Sequence, residues 1–404
     1  MSWEIVRLGD YCVKIGSGAT PKGGSTVYVE NGISLIRSQN VYNLSFEYDG
    51  LTHITDEAAE KLSSVTIFPD DILLNITGDS VARVCMVPME VLPARVNQHV
   101  AIIRTRKELL PQYLLYYLAS PNMQAYMLNL AVGKGASRNA LTKGMIEDFP
   151  LPLPSLEEQQ RIVEIISPYD DMIENNLKQT KLLEEAAQRL YKEWFVDLRF
   201  PGHETTPITD GIPEGWKRDE VNSIIDLLSG FAFKSADFTD VGAYKIVTIK
   251  NVQDGMFDGH NVSRIAEVPT KMPKHCYLND GDILLSLTGN VGRVCVVNGN
   301  NYLLNQRVAK LKSDYPAFAY CLFRSNDMFV EMGNLANGAA QQNLSPIKTG
   351  QIKILIPPVE LLIHFEEVVT VYMKQMLNLN EQIELLQETR DRLLPKLMNG
   401  EIEV

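Results

Sequence analysis

The chain has 404 residues, 45% of them hydrophobic and 22% charged, with a formal net charge of −12. That balance excludes a disordered or fibrous polymer, and the length suits two domains with connecting elements rather than one core. The opening MSWEIVRLGD lacks the basic-then-apolar order of a secretory signal, no apolar run approaches about 18 residues, and the cysteines (12, 85, 276, 295, 321) form no CxxC pair. These features predict a cytoplasmic protein with buried reduced thiols, without a membrane span, disulfide framework or zinc site.

Net acidity is unexpected for a nucleic-acid binder, so its location matters. Residues 1–150 carry a net charge of −2 and residues 199–355 a net charge of zero, whereas 151–198 and 356–404 each carry −5. The two large segments are thus close to neutral, and each has the means to present a basic face. The two short acidic stretches are the parts expected to stay away from DNA.

From the N-terminus, Trp3 opens a stretch of mixed α and β character. Ser17-Gly18 and Lys22 lie in a Gly-rich loop. Short β-rich runs follow at 33–36, 71–76, 83–87 and 100–104, punctuated by Gly, Asn and Asp. Residues 109–118 read as a short helix.

From Ile162 the positions Ile166, Tyr169, Ile173, Asn176, Thr180, Leu183, Ala187, Leu190 and Trp194 alternate in steps of four and three. That is a heptad seam and predicts a long helix, roughly 50 Å at about 1.5 Å per residue. Asn176 either fixes the register of the seam or sits where the helix is locally exposed.

The pattern then begins again, with Trp216 after Ile212-Pro-Glu-Gly215. Asp71-Ile-Leu-Leu-Asn-Ile-Thr-Gly78 recurs as Asp282-Ile-Leu-Leu-Ser-Leu-Thr-Gly289, and Val81-Ala-Arg-Val-Cys85 as Val291-Gly-Arg-Val-Cys295. Asn97-Gln-His-Val-Ala101 matches Asn305-Gln-Arg-Val-Ala309. Ser229-Gly230, Lys234 and Asn251-Val252 match Ser17-Gly18, Lys22 and Asn40-Val41. The offset drifts from 213 to 203, as duplication with small indels requires. Second-copy strands are expected at 244–249, 283–287, 293–297 and 308–311, and a helix at 317–323. Gly78 and Gly289 are expected in tight turns.

Adding 203 to the first seam gives Phe365, Val369, Tyr372, Met376, Leu379, Ile383, Leu386, Arg390, Leu393 and Leu397, apolar except at Arg390. Two stretches sharing one register predict two long helices that bury matching stripes against each other. Because each follows its own domain, an antiparallel pair with a domain at each end is expected. Pro395 is expected to kink or end the second helix.

The chain resembles the specificity subunits of type I restriction–modification systems over nearly its whole length. The resemblance rests on Arg189-Leu-Tyr-Lys-Glu-Trp-Phe-Val196, Leu393-Leu-Pro-Lys-Leu-Met-Asn-Gly400, Phe149-Pro-Leu-Pro-Leu-Pro154 before Glu157-Glu-Gln159, and Gly281-Asp-Ile-Leu284. The second copy departs from it at Pro357-Pro-Val-Glu-Leu-Leu362, which lacks the Glu-Glu-Gln. The resemblance implies an α+β protein with two duplicated mixed α/β target-recognition domains (1–154 and 199–358), each reading half of a split site in double-stranded DNA. It also implies two spacer helices, 155–198 and 359–404, forming an antiparallel coiled coil. These would set the gap and dock two DNA-methyltransferase subunits and, through them, ATP-dependent restriction subunits.

No motif for independent catalysis stands beside these features, and no cofactor is expected. The Gly-rich 16–23 is misspaced for a phosphate loop, no Asn/Asp-Pro-Pro-aromatic sequence is present, and the six histidines lack metal-ligand spacing. Asp70-Asp71, Asp280 and Asp282 are read as strand-entry turns rather than nuclease carboxylates. What remains is recognition: Lys and Arg for phosphates, and side chains with paired donors and acceptors for base edges. The candidates in the first copy are Lys22, Arg37, Gln39, Asn40, Lys134, Arg138, Asn139 and Lys143. In the second they are Lys234, Lys250, Asn251, Gln341, Gln342 and Asn343. Asn97-Gln98 and Asn305-Gln306 recur in both copies, which favours a structural role. Two other readings compete: a protein-binding adaptor without DNA contact, and a divergent DNA methyltransferase or nuclease. Lack of DNA binding with partners present would mark the first, and activity of the chain alone the second.

Overall fold

The structure, a computed structural model, describes residues 3–132, 139–260, 262–336 and 342–403. The chain divides into two compact units, residues 1–172 with 385–404, and residues 173–384.

In the first unit, an antiparallel sheet has the order Cys12–Ser17, Val100–Thr105, Ile72–Asn75, Val84–Met86. Its repeated Ile-Leu-Leu run is apolar throughout because both faces are covered. Ile72 and Leu74 point into a core shared with the helices Pro111–Ala119 and Pro121–Ala131. Leu73 points the other way, into a core shared with Leu35, Ile36 and Val96. Those residues belong to a second sheet, ordered Ala94–Val96, Ile33–Ile36, Thr52–Ile54, Tyr28–Val29, in which the first two strands run parallel. Cys85 faces Leu73 across the ladder.

The second unit repeats this plan. One sheet has the order Asp226–Ser229, Val308–Lys312, Ile283–Ser286, Val294–Val296, with Cys295 facing Leu284 as Cys85 faces Leu73. The other has Ser263–Ile265, Tyr244–Val247, Tyr302–Leu304, Tyr277–Leu278. The copies differ at the sheet edges. The outer pairing at Tyr28–Val29 shrinks to the single bridge Thr239–Arg264 in the second copy. Conversely, the ladder at Tyr277–Leu278 is a single bridge, Thr66–Arg95, in the first.

Recurrent glycines have backbone reasons. A Cβ on Gly18 would stand 2.1 Å from the Val96 carbonyl oxygen, and one on Gly230 would stand 2.3 Å from that of Asn305. Gly78 and Gly289 hold φ of 74° and 70°, a turn that L side chains resist.

The helices Leu156–Tyr191 and Val359–Met398 pair antiparallel, as contacts inside each unit show. In the first unit Ile162 and Ile166 share a core with Leu394, Leu397 and Met398, and Arg390 Nη1 reaches Asp170 Oδ1 at 2.7 Å. In the second unit Asn176 Nδ2 donates to Gln382 Oε1 at 3.2 Å, while Tyr191 lies against Phe365. Arg390, the one charged seam position, is half-buried. Burial alone would depress its pKa, but Asp170 and Asp391 outweigh this and raise it.

The seam also slips. Met373 and Leu394 are buried where the heptad pattern selects Tyr372 and Leu393, because a straight helix drifts by about 20° per heptad. Pro395 does not end the second helix, which continues to Met398; burial of Leu394, Leu397 and Met398 offsets the lost hydrogen bond. Pro168 is likewise accommodated inside the first helix. That helix closes in a π turn, Lys192–Val196, which turns both Trp194 and Phe195 into the core.

Candidate nucleic-acid interface

Each copy builds the same loop after its first central strand. In the first, Arg37 N–H donates to Asn40 Oδ1 at 3.0 Å and Asn40 Nδ2 donates to the Glu47 carbonyl at 2.9 Å. In the second, Thr248 N–H donates to Asn251 Oδ1 at 2.8 Å and Asn251 Nδ2 to the Asp258 carbonyl at 2.9 Å. Asn40 and Asn251 are 0% and 1% exposed. Their amides brace the loop rather than face outward, a role that recurrence in both copies already fits. Asn75 adds a brace beneath the first loop, donating to the Ser38 carbonyl at 2.8 Å. Gln39 and Lys250 stand exposed on these loops, and Arg37 is partly buried with Nη2 on the Gly50 carbonyl at 3.0 Å.

The loop of the first copy forms one wall of a cleft of about 520 Å³. Ser38, Gln39, Tyr42, the turn 77–80, Arg83, His99, Asn139 and Ala140 line it. Three distant stretches therefore converge. Thr77 bridges Ala140, and Gly78 N–H donates to the Asn139 carbonyl at 3.1 Å, which seats the chain after the second short helix beside the turn. The Gly-rich loop joins through Thr20, whose hydroxyl donates to Gln98 Oε1, while Gln98 Nε2 meets His99 Nε2 at 3.0 Å. In the second copy Thr288 bridges Asn343 and Leu344 N–H donates to the Leu287 carbonyl at 2.7 Å, the same convergence.

The remaining candidates are placed as follows. Lys22, Asn139, Lys143, Lys234, Gln342 and Asn343 are exposed, and Lys143 lies 3.5 Å from Glu147 one helical turn on. Lys134, Arg138 and Gln341 lie outside the described residues. Tyr42, Arg83 and His99 line the cleft but were not singled out from the sequence; the signal available was that Arg83 recurs as Arg293. Asn97 and Asn305 accept from the backbone N–H two residues on, at 3.1 and 3.2 Å, and so hold a turn.

The carboxylates are structural. Asp71 is fully buried and receives Arg104 at 2.7 Å through both Nε and Nη2. Asp282 receives Lys310 at 2.6 Å, and Asp280 accepts from Gly299 N–H at 2.9 Å. Among the described residues, no group of three or more His, Cys, Asp or Glu is placed to hold a metal ion, and no helix is long and apolar enough to cross a membrane.

Comparison with known proteins places this architecture. Residues 1–185 and 213–384 match the family described as the type I restriction modification DNA specificity domain. The type I restriction enzyme MjaIX specificity subunit of Methanocaldococcus jannaschii is 26% identical over 415 residues, spanning 100% of this chain and 94% of its own. The HindI specificity subunit of Haemophilus influenzae is 23% identical over 357 residues, with 72% and 78% covered. A crystal structure of the type I restriction–modification S subunit from M. genitalium has the same fold, with a TM-score of 0.57 over 98% of this chain and 96% of that one at 13% identity. The chain belongs to the type I restriction–modification DNA specificity family, as a specificity subunit that carries its domain twice.

Proposed function

We propose that residues 1–154 and 199–358 each read one half of a bipartite site in double-stranded DNA, and that the helices of 155–198 and 359–404 set the gap. The subunit does no chemistry itself; it directs two methyltransferase copies and, through them, the restriction subunits. The observation that carries this reading is the convergence, in both copies, of a braced polar loop, a Gly turn and the chain beyond the second short helix. Exposed Gln39, Asn139, Lys250, Gln342 and Asn343 are the base-edge candidates there, with Lys22, Lys143 and Lys234 for phosphates. Arg37 belongs to the first of these loops, and Lys134, Arg138 and Gln341 are further candidates outside the described residues, whereas Asn40 and Asn251 serve as braces.

Docking is supported by apolar residues left outward on the long helices. Leu182 and Leu385 occupy matching positions 203 residues apart and are 63% and 56% exposed. Paired exposed leucines on acidic helices suit two equivalent protein contacts better than DNA. Reconstitution with the cognate methyltransferase tests this directly. The chain alone is expected to transfer no methyl groups, the complex to contain two partner copies by native mass, and Leu182→Glu to weaken retention of one of them. Transfer by the chain alone, or a complex with a single partner copy, would contradict the proposal.

A further inference from the structure

Among the described residues, one arginine lines the cleft of the first unit, and the two copies use it differently. The Arg83 guanidinium lies 4.4 Å from the centre of the Tyr42 ring. A guanidinium held over an aromatic ring in this way is restrained while its N–H donors stay available. Among the described residues none accepts a hydrogen bond from it. In the second copy the matched Arg293 is already engaged: its Nη1 donates to Oε1 of Gln253, at 2.5 Å, and Gln253 stands where Tyr42 stands in the first.

The surroundings decide what this fork suits. His99 has both ring nitrogens occupied, by Thr77 at 2.6 Å and Gln98 at 3.0 Å, and Gln39 Nε2 gives one of its two donors to the Gly50 carbonyl at 3.0 Å. Asp79 lines the same cleft without reaching ion-pair distance of Arg83. A cation with a carboxylate beside it is a poor seat for phosphate. It matches the major-groove edge of a G·C pair, where guanine offers two acceptors and cytosine a donor.

We infer that Arg83, held over the Tyr42 ring, reads a guanine in the half-site recognised by the first domain, through that base's O6 and N7. This rests on the reading of residues 1–154 as a half-site recognition domain. Tyr42 is then a positioning residue: it presents the fork and makes no base contact of its own.

The test uses the full chain assembled with its methyltransferase, once the parent's methylated site has been sequenced. Each guanine of the first half-site is replaced in turn by 7-deazaguanine, which lacks N7. One such replacement is expected to weaken the parent complex by about tenfold or more and to leave Arg83→Ala binding unchanged, since that variant has already lost the contact. Arg83→Lys keeps the charge without the fork and is expected to discriminate as poorly as Arg83→Ala. Both variants should relax the methylated sequence at one position of that half-site and leave the other half intact, which also shows that they are folded.

Weakening that is uniform across sequences, with a shallower salt dependence, would make Arg83 a phosphate contact and overturn the inference. So would a first half-site without guanine. The recognition reading beneath it fails separately, if exchanging residues 1–150 for those of a relative moves neither half of the site.

Discussion

Replacing Phe365 by alanine is expected to destabilise the second unit by about 3–5 kcal/mol, the usual range for a fully buried phenylalanine. Phe365 has no exposed surface and lies where the two long helices meet the second sheet core. Its ring centre is 4.9 Å from that of Phe195, 5.8 Å from Trp194 and 6.3 Å from Tyr191. These tilted and edge-on contacts add to what burial alone provides. The same helix supplies a control, because Val371 is largely exposed and Val371→Ala should change stability by less than about 0.5 kcal/mol. Urea denaturation followed by tryptophan fluorescence measures both. A loss for Phe365→Ala no larger than the control's would show that the aromatic cluster does not hold the helices to the core.

The second large effect concerns the gap between half-sites. Adding four residues after Thr180 and four after Ile383 lengthens both helices near one level, since Asn176 meets Gln382. Each insertion adds about 6 Å and about 40° of rotation, with a stutter in the seam. Base pairs are spaced at about 3.4 Å, so a rigid spacer should demand a gap longer by about one to two base pairs. Both half-site sequences should stay unchanged, because no reading loop is altered. Sequencing of methylated sites gives the answer. An active variant that keeps the parent's gap would leave the helices as docking surfaces rather than a ruler.

How much of this was legible in the sequence depends on the range of the interaction. The duplication could be read because Asp-Ile-Leu-Leu is demanded twice by a strand covered on both faces. Its aspartate caps the strand entry, accepting from Phe68 N–H and from Asn279 N–H at 2.8 Å. The helices could be read because a seam repeats locally. Their detail could not: a seven-residue pattern does not reveal where a 3.6-residue helix passes from Tyr372 to Met373 or from Leu393 to Leu394. That the second helix runs on past Pro395 could not be read for the same reason, since only tertiary packing determines whether a helix survives a proline. The second short helix of each copy, Pro121–Ala131 and Asn326–Ala336, begins straight after a Ser that ends the first and merges with it in pattern.

The site was harder still. Asn40 and Asn251 have the chemistry of base readers, and only burial reveals them as braces. Arg83 and Tyr42 are separated along the chain by the strands Ser45–Phe46, Thr52–Ile54 and Ile72–Asn75 and the helix Asp56–Lys61, so nothing local links them. The network of Glu184, Arg324 and Asp254 was equally invisible. Arg324 Nε reaches Glu184 Oε1 at 3.0 Å and its Nη1 pairs with Asp254, tying the first long helix to the second copy's loop. In the first copy the position matching Arg324, at the end of the helix Pro111–Ala119, is Ala119, so this arginine has no counterpart there.

The central claim is that each domain reads its own half of the site. Their frameworks match, but the groups they present differ: Arg37-Ser-Gln39 faces Thr248-Ile-Lys250, and Ser137-Arg-Asn139 faces Ala340-Gln-Gln342. The most direct measurement is the methylated sequence produced by a chain whose residues 1–150 come from a relative of different specificity, assembled with the same methyltransferase. One half of the site should change to the relative's sequence while the other half and the gap remain the parent's. A site altered in both halves, or in neither, would contradict the account.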